Sequence, residues 1–256
     1  MILFEEFPKF FSGSVEELAE KILKEADKPH KNRYVVPTNL DVLRIFYTEK
    51  EAQDAIKNGW IYTADGFPLV KFSRLFFGYR IYKKISGVEL TYKIIELLQK
   101  RKKKLKVYFF GGSGDTRQKI IKNLKEKYKN LNWLVAGFSS AYFDNKDRKI
   151  VKEEVEKINR VDPDILFIGL GSPKQEIFLY RNRKVLRYGI AICVGRTINI
   201  LAGDEKQEPP LIENLGLTFI YRSFKKGGGR ILRRVLQDIT FLITYTLKKF
   251  FKLKRV

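Results

Sequence analysis

Three apolar segments, each followed directly by glycine, restrict the folds open to this chain more than any other feature of its sequence. They cover residues 105–110, 164–168 and 188–194. Only Lys106, Asp164 and Gly189 interrupt them, and short strands that are apolar at nearly every position are buried on both faces, as in a parallel sheet covered by helices. Amphipathic helical patterns follow the first two segments, so the sequence predicts an α/β protein with a largely parallel sheet and helices on both faces.

The rest of the chain continues this alternation. Ser14 and Glu17 have the spacing of a capping box, which predicts a helix ending near Ala26. Gly227 to Gly229 predicts a break before a last long helix. Further helices are predicted over 49–58, 88–100 and 147–159, two more after the loops at 111–115 and 169–176, and further strands over 34–36, 60–62 and 132–135.

The glycines that end the strands indicate where a ligand would bind. Open α/β sheets bind ligands at the carboxyl ends of their strands, where glycine lets backbone approach a phosphate. Three such loops together favour a nucleotide-like ligand, although glycine can also serve only to make a tight turn. The run from Gly111 to Gly114 does not match the dinucleotide fingerprint G-x-G-x-x-G. The candidate glycines are Gly111, Gly112, Gly169, Gly171 and Gly195.

Polar residues at the same strand ends are candidates for catalysis and binding. Asp65 follows a short β run and precedes Gly66, so its carboxylate could act as a general base in the cleft or simply belong to an Asp-Gly turn. Thr38 and Asn39 follow the strand at 34–36 and could bind a polar ligand or cap a helix. The loop after residue 168 adds Ser172, Pro173, Lys174, Gln175 and Glu176, and the amide and carboxylate of its last two residues are expected to point into the cleft.

Two residue counts exclude several classes of site. The only cysteine, Cys193, cannot form an internal disulfide, and the only histidine, His30, cannot build a His/Cys zinc site. Asp162 and Asp164 resemble a metal-binding D-x-D pair, but they lie at the start of a predicted strand, opposite the ligand-binding end. We therefore predict no metal and no cofactor, with Cys193 in the core and His30 in a loop.

The positive charge is concentrated at the carboxyl terminus. The chain carries a net charge of +22, and residues 222–256 hold eleven Lys/Arg and one acid, interleaved with aromatic residues. A basic, aromatic helix suits an anionic membrane surface, would also suit nucleic acid, or could simply be solvated while its apolar face packs on the domain. Guanidinium groups bind diphosphates in a bidentate manner, which makes four arginines of this segment candidates: Arg222, Arg230, Arg233 and Arg234.

The amino-terminal residues have no secretory pattern, and no run approaches the length of a membrane-spanning helix. We therefore expect a cytoplasmic protein that lies on the inner face of the cell membrane. An apolar face of the tail that is free off the membrane could be covered in a homo-oligomer.

A set of motifs in fixed order makes the chain similar to a known family. Seven of them occur in this order: Val35 to Asn39, Ala64 to Gly66, Ser86-Gly87, Val107 to Gly112, Asp164 to Glu176, Val194-Gly195 and Tyr221-Arg222. The chain thereby resembles the WecG/TagA/CpsF glycosyltransferases, glycosyltransferase family 26. The resemblance implies a Rossmann-like domain over 1–221 and a membrane-associating appendage over 222–256.

The same resemblance implies an activity. It implies inverting transfer of N-acetylmannosamine, or its uronic acid, from a UDP-sugar to polyprenyl-diphosphate-linked N-acetylglucosamine. Asp65 matches the family's proposed base. Its Thr and Asn match Thr38 and Asn39, its Gln-Glu pair matches Gln175-Glu176, and its carboxyl-terminal arginines match Arg222 and the other candidate arginines of the tail.

Several positions depart from the family pattern. Val194 to Asn199 reads Val-Gly-Arg-Thr-Ile-Asn instead of Val-Gly-Gly-x-Phe-Asp, and Gln207 to Pro209 reads Gln-Glu-Pro instead of Arg-Ala-Pro. Thr218-Phe219 replaces Glu-Trp, and Lys83 or Lys84 stands where the family has arginine, which makes Lys84 a candidate diphosphate ligand. These changes cluster around the presumed sugar pocket and diphosphate contacts.

Two other hypotheses remain open beside the glycosyltransferase. The departures at Arg196, Asn199 and Gln207 would also fit an inactive relative that binds a nucleotide-sugar or lipid. The net charge of +22 would fit a nucleic-acid-binding protein, but the chain has neither an aromatic RNA-recognition signature nor a helix-turn-helix pattern, so no nucleic-acid partner is predicted.

Overall fold

A single parallel sheet organises the protein. The computed structural model describes residues 2–29, 31–101, 104–112, 114–128, 134–139, 146–209, 212 and 229–253, and every structural statement below concerns these. Within them, six strands lie in the order β2-β1-β6-β5-β3-β4. The strands are β1 (Arg33–Thr38), β2 (Ile61–Ala64), β3 (Lys106–Gly111), β4 (Leu134–Ser139), β5 (Ile165–Gly169) and β6 (Ile190–Cys193).

Helices cover both faces of this sheet. Alternate residues of β5 enter opposite cores: Leu166 and Ile168 enter one, Ile165 and Phe167 the other. The fold is therefore the Rossmann-like α/β arrangement that the sequence predicts. The helices are α1 (Val15–Ala26), α2 (Leu40–Thr48), α3 (Lys50–Lys57), α4 (Phe67–Lys71), α5 (Ser73–Phe77), α6 (Gly87–Lys100), α7 (Thr116–Lys127), α8 (Arg148–Val161), α9 (Lys174–Arg181), α10 (Thr197–Ala202) and α11 (Gly229–Leu253).

The predicted end of the first strand was wrong. β1 does not stop before Pro37 but continues through Thr38. The carbonyls of Tyr34 and Thr38 accept hydrogen bonds from residues beside β2. The odd-numbered residues between them, 35 and 37, therefore direct their backbone groups to the other side, toward β6. β1 pairs with β6 only over residues 33–35, so no backbone N–H is needed at position 37. Proline, which has no N–H, is therefore tolerated there.

Other boundaries moved in the same way. β4 continues past the predicted end at residue 135 as far as Ser139, and residues 132 and 133 of the predicted segment lie outside the described ones. A Cβ at Gly137 would lie 2.3 Å from the ring of Tyr108, so glycine lets β4 pass under that ring. The helix α2 and the short helices α4, α5 and α10 were not predicted. Of the predicted break at 227–229, only Gly229 is described, and it begins α11.

The last helix packs on the domain through one face. Asp238 of α11 forms an ion pair with Arg44 of α2 at 2.9 Å. Phe241 is buried, and its ring stacks on Phe4 with centroids 5.9 Å apart. The opposite face presents an apolar stripe, defined as Leu236, Ile239, Ile243, Leu247 and Phe250, whose residues are 44–56 % exposed. None of the helices in the described ranges has the length and hydropathy needed to span a bilayer.

Candidate active site

The carboxyl ends of five neighbouring strands form one edge of the sheet. Because the strands are parallel, the residues that end them lie side by side along this edge. Starting from β2, this edge carries Asp65, Thr38, Gly195, Gly169 and Gly111. The structure therefore gathers the predicted glycine loops and the predicted acid at the same edge.

Two of these glycines are required by packing between adjacent loops. A Cβ at Gly169 would lie 2.4 Å from the carbonyl oxygen of Gly195, and one at Gly111 would lie 2.7 Å from that of Gly169. Gly171 and Gly195 are different, because a Cβ added to either would meet no atom of the described residues within 4 Å. Within the described part of the chain, space for a ligand is therefore found at Gly171 and Gly195.

Asp65 follows β2, the strand at one side of the sheet, and lies beside Asn39. Its backbone N–H donates to the carbonyl of Thr38 at 2.7 Å, which fixes the turn after β2 to the end of β1. A Cβ at Gly66 would lie 3.9 Å from Cβ of Asn39, so the two loops touch. The Asp65 side chain is half-buried. Two strand spacings, roughly 10 Å, separate the β2 and β6 ends of the edge. A sugar can fit between Asp65 and the β6 loop at that distance.

Thr38 and Asn39 both make local hydrogen bonds. The hydroxyl of Thr38 is buried and donates to the carbonyl of Val36 at 3.1 Å. Oδ1 of Asn39 accepts from the N–H of Val42 at 3.0 Å and caps α2. The capping alternative is therefore realised for Asn39, and its Nδ2 is the group with which this exposed residue could bind a ligand.

Gln175 and Glu176 lie beneath the cleft and do not point into it. Oε1 of Gln175 accepts from the N–H of Gly195 at 3.2 Å, and its Nε2 donates to Glu176 at 3.0 Å. Glu176 is fully buried. Its Oε2 has no hydrogen-bond partner in the described part of the chain. Burial raises the pKa of this carboxyl above its ordinary value of 4.5, with Cys193 beside it, so the pair ties the β5 and β6 loops together from inside.

Replacing Glu176 by Gln should stabilise the protein increasingly as pH rises. Above pH 4.5 the unfolded chain releases this proton while the folded protein retains it, so the wild-type free energy of unfolding falls through this group as pH rises toward the folded pKa. Glutamine has no proton to lose. Urea unfolding at pH 5 and pH 8 should show a larger gap between Glu176→Gln and wild type at pH 8. The exposed Glu153→Gln serves as control, and an equal gap at both pH values would contradict the assignment.

The remaining residues of this loop and the β3 loop also have defined places. A Cβ at Gly112 would lie 2.6 Å from Oγ1 of Thr116, so this glycine lets α7 start close to β3. Ser172 precedes a cis peptide bond to Pro173, and its buried Oγ has no partner among the described residues. Lys174 is exposed at the start of α9.

Lys84 lies beside Asp65, where the segment after α5 comes back to the end of β2. The N–H of Ile85 donates to the carbonyl of Ala64 at 3.0 Å, so Lys84 and Asp65 flank one hydrogen bond. The next residues begin α6, whose cap is Ser86 Oγ accepting from Glu89 N–H at 3.1 Å. A helix amino terminus and a lysine beside the candidate acid favour binding of an anionic group.

The direction of α11 brings its first turns toward the same edge. Asp238 contacts Arg44, while Phe241 and Tyr245, further along α11, contact Tyr47, further along α2. The two helices therefore run in the same direction. Gly229 lies nine residues before Asp238, about 13 Å along the axis, whereas α2 begins only about 6 Å before Arg44. The start of α11 therefore reaches past the start of α2, on the side of the cleft.

The candidate arginines of the tail are described to different extents. The backbones of Arg230, Arg233 and Arg234 belong to those first turns of α11, and the side chain of Arg233 is exposed. The side chains of Arg230 and Arg234, and the whole of Arg222, lie outside the described residues, as does His30.

The positions that depart from the expected motifs form a charge network. Arg196 forms ion pairs with Glu208, which is buried, and with Glu205 at 3.4 Å. Nδ2 of Asn199 donates to the same Glu205 at 3.3 Å. Gln207 itself is exposed. Arg196 therefore pairs with two carboxylates beside the Gly195 loop. The sequence analysis, which considered each departing position by itself, did not predict these pairs.

The aspartates rejected as metal ligands lie far from this edge. Asp164 accepts a hydrogen bond from the N–H of Lys106 at 2.7 Å at the amino end of β5, and Asp162 ends α8. Cys193 is buried in the core, as predicted.

Two relatives that share one name match more than half of this chain. A relative from Bacillus subtilis (strain 168), named N-acetylglucosaminyldiphosphoundecaprenol N-acetyl-beta-D-mannosaminyltransferase, is 25 % identical over 174 residues, which are 68 % of this chain and 64 % of the relative. A relative of the same name from Staphylococcus aureus (strain MRSA252) is 24 % identical over 198 residues, 77 % of this chain and 74 % of the relative. The chain thus spans somewhat less than two thirds of the Bacillus protein.

The family assignment rests on a longer match. The model of the glycosyl transferase WecG/TagA/CpsF family matches residues 8–255, which includes every strand of the sheet and the helix α11. With the ordered motifs and the glycine-lined edge described above, this match shows that the chain belongs to the WecG/TagA/CpsF glycosyltransferase family.

Proposed function

We propose that this protein is an inverting glycosyltransferase that moves N-acetylmannosamine, or a closely related sugar, from a UDP-sugar to polyprenyl-diphosphate-linked N-acetylglucosamine. The observation that carries the proposal is the position of Asp65, half-buried at the carboxyl edge and two strands from the open Gly195 loop. The names of the relatives supply the acceptor and the sugar, and the family supplies the class of reaction.

Asp65 acts as the general base in this proposal. Its carboxylate takes the proton of the acceptor hydroxyl while that oxygen forms a bond to the anomeric carbon of the donor. The bond between that carbon and the diphosphate oxygen breaks, and UDP leaves with the electron pair. Attack from the face opposite the leaving group inverts the anomeric centre, which fits a base and a glycine-lined diphosphate site at opposite ends of the cleft.

Cationic groups stabilise the departing diphosphate. The arginine-bearing turns of α11 lie toward the same edge and meet the departing diphosphate, whereas Lys84 and the amino terminus of α6, beside Asp65, face the diphosphate of the acceptor. Fixed positive groups that meet developing negative charge lower the barrier because they need no reorganisation during the reaction. The glycine loops at Gly171 and Gly195 leave space for the nucleotide-sugar.

The acceptor places the reaction at a membrane. A polyprenyl chain stays in the bilayer, so the enzyme must work at the anionic inner face of the cell membrane. The apolar stripe of α11 is flanked by Arg233 and Lys248, both exposed, which is the pattern of a helix lying in the interface.

The direct test is a donor screen with a lipid-diphosphate-linked N-acetylglucosamine acceptor. We expect transfer from UDP-N-acetylmannosamine or its uronic acid, and we expect the rate to change less than twofold when a strong chelator is added, since protein cations take the role of a metal. Loss of activity with chelator would overturn the metal-independent mechanism.

Two other outcomes would favour the other hypotheses. Binding of UDP-sugar without turnover would favour the inactive relative. Salt-sensitive RNA binding without UDP-sugar binding would favour the nucleic-acid hypothesis.

A further inference from the structure

A second exposed apolar surface lies directly after Asp65. We call it the α4–α5 patch and define it as Phe67, Phe72, Leu75 and Tyr82, with exposures of 38 %, 45 %, 51 % and 69 %. The patch lines a shallow groove of about 650 Å³. Four large apolar side chains exposed within sixteen residues are unusual for a surface that faces only water.

The charge around the α4–α5 patch has one sign. Between Asp65 and Glu89 the sequence contains five basic residues and no acid. Lys71 lies over the rings of Phe67 and Phe72 at 5.5 and 5.8 Å, and Arg80 lies over Tyr82 at 5.1 Å. Aromatic rings interleaved with cations are complementary to an anionic lipid interface, where rings enter the headgroup region and cations meet phosphates.

The helix α5, which carries part of the α4–α5 patch, is also joined to α11. The N–H of Leu3 donates to the carbonyl of Leu75 at 3.2 Å, and the carbonyl of Leu3 accepts from Nζ of Lys249 at 3.0 Å. One residue of the amino-terminal segment therefore joins α5 to α11. Phe4, the next residue, packs against Phe76 on one side and Tyr245 on the other. The two elements that carry the exposed apolar surfaces are thus joined by a shared buried cluster.

We propose that the α4–α5 patch is a second membrane contact, which inserts into the interface of an anionic bilayer together with α11. The proposal rests on the proposed function for its purpose: both ends of the 65–85 excursion lie at the candidate site, since Ile85 bonds back to Ala64. Docking through this patch holds the Asp65 cleft at headgroup level, where the diphosphate-linked sugar emerges. A single helix would leave the domain free to rotate about it, whereas two contacts fix its orientation.

The test measures binding of the full-length protein to vesicles of phosphatidylglycerol and phosphatidylcholine, without substrate. The triple variant Phe72→Ser, Leu75→Ser, Tyr82→Ser should bind at least tenfold more weakly than wild type. Val185→Ser, which removes an exposed apolar residue outside both surfaces, should bind like wild type. Unchanged binding by the triple variant would overturn the proposal, whether or not the protein turns over any sugar.

Two further measurements separate a bilayer from the lipid chain of the acceptor. Activity of the triple variant on a water-soluble short-chain acceptor, in the absence of vesicles, should stay within twofold of wild type. An increase in KM for that acceptor would instead assign the patch to the polyprenyl chain and overturn the proposal. In Phe72→Trp, fluorescence above the wild-type background should be quenched by brominated lipids, and absence of quenching would contradict insertion.

Discussion

Replacing Asp65 by Asn should lower kcat by about 100-fold or more, with a small change in the KM for the UDP-sugar. Asparagine has nearly the same shape and keeps the backbone hydrogen bond to Thr38, so the turn after β2 should survive. The amide cannot accept the hydroxyl proton of the acceptor. The loss should therefore appear in the chemical step, in single-turnover assays with saturating donor and acceptor.

A matched control is available on α3. Asp54→Asn changes an aspartate that pairs with Lys50 on the surface and should leave turnover unchanged. If Asp65→Asn kept wild-type turnover, Asp65 would not be the base. If it bound UDP-sugar poorly and unfolded at a lower temperature, its role would be structural.

Removing the apolar stripe of α11 should weaken binding to anionic vesicles by about 100-fold or more. The variant is Ile239→Ser, Ile243→Ser, Leu247→Ser, whose side chains are 48 %, 56 % and 49 % exposed in the free protein. Burying the exposed half of each in lipid is worth roughly 1 kcal/mol, and about 3 kcal/mol corresponds to more than 100-fold in affinity. Activity on membrane-bound acceptor should fall with binding.

Substitution is a cleaner test than deletion of 222–256. The packed face of α11 covers Phe4 and Tyr47, so removal of the helix would expose a core cluster. Thermal unfolding of the variant with Ile239→Ser, Ile243→Ser and Leu247→Ser should match wild type, because the replaced side chains face solvent. Undiminished vesicle binding with an intact fold would show that α11 does not hold the protein at the membrane.

The sheet and the position of its candidate site follow closely from the sequence. Strands that are apolar on both faces require helices on both sides, and their glycine ends predict the binding edge. The capping box at Ser14 is confirmed, with Glu17 N–H to Ser14 Oγ at 3.1 Å. These features depend on residues close together in sequence, so local patterns are sufficient to predict them.

Features that depend on distant partners could not be predicted in this way. Gln175 and Glu176 look like ligand-binding residues, but the N–H that Gln175 binds belongs to Gly195, twenty positions later. Arg196 looks like a disruption until its partners Glu205 and Glu208 are seen beside it. The α4–α5 patch has one local signal in the sequence, the acid-free basic run between Asp65 and Glu89, but its position beside α11 depends on contacts across the whole chain.

The strand order has a consequence for how the chain folds during synthesis. Tyr34 of β1 pairs with Ala191 of β6, so the centre of the sheet closes only when the ribosome has made three quarters of the protein. Until then one hydrogen-bonding side of β1 has no native partner, and such open edges promote aggregation. Slow, non-local pairing of this kind predicts that overproduction at lower temperature, or with chaperones, will raise the yield of native protein.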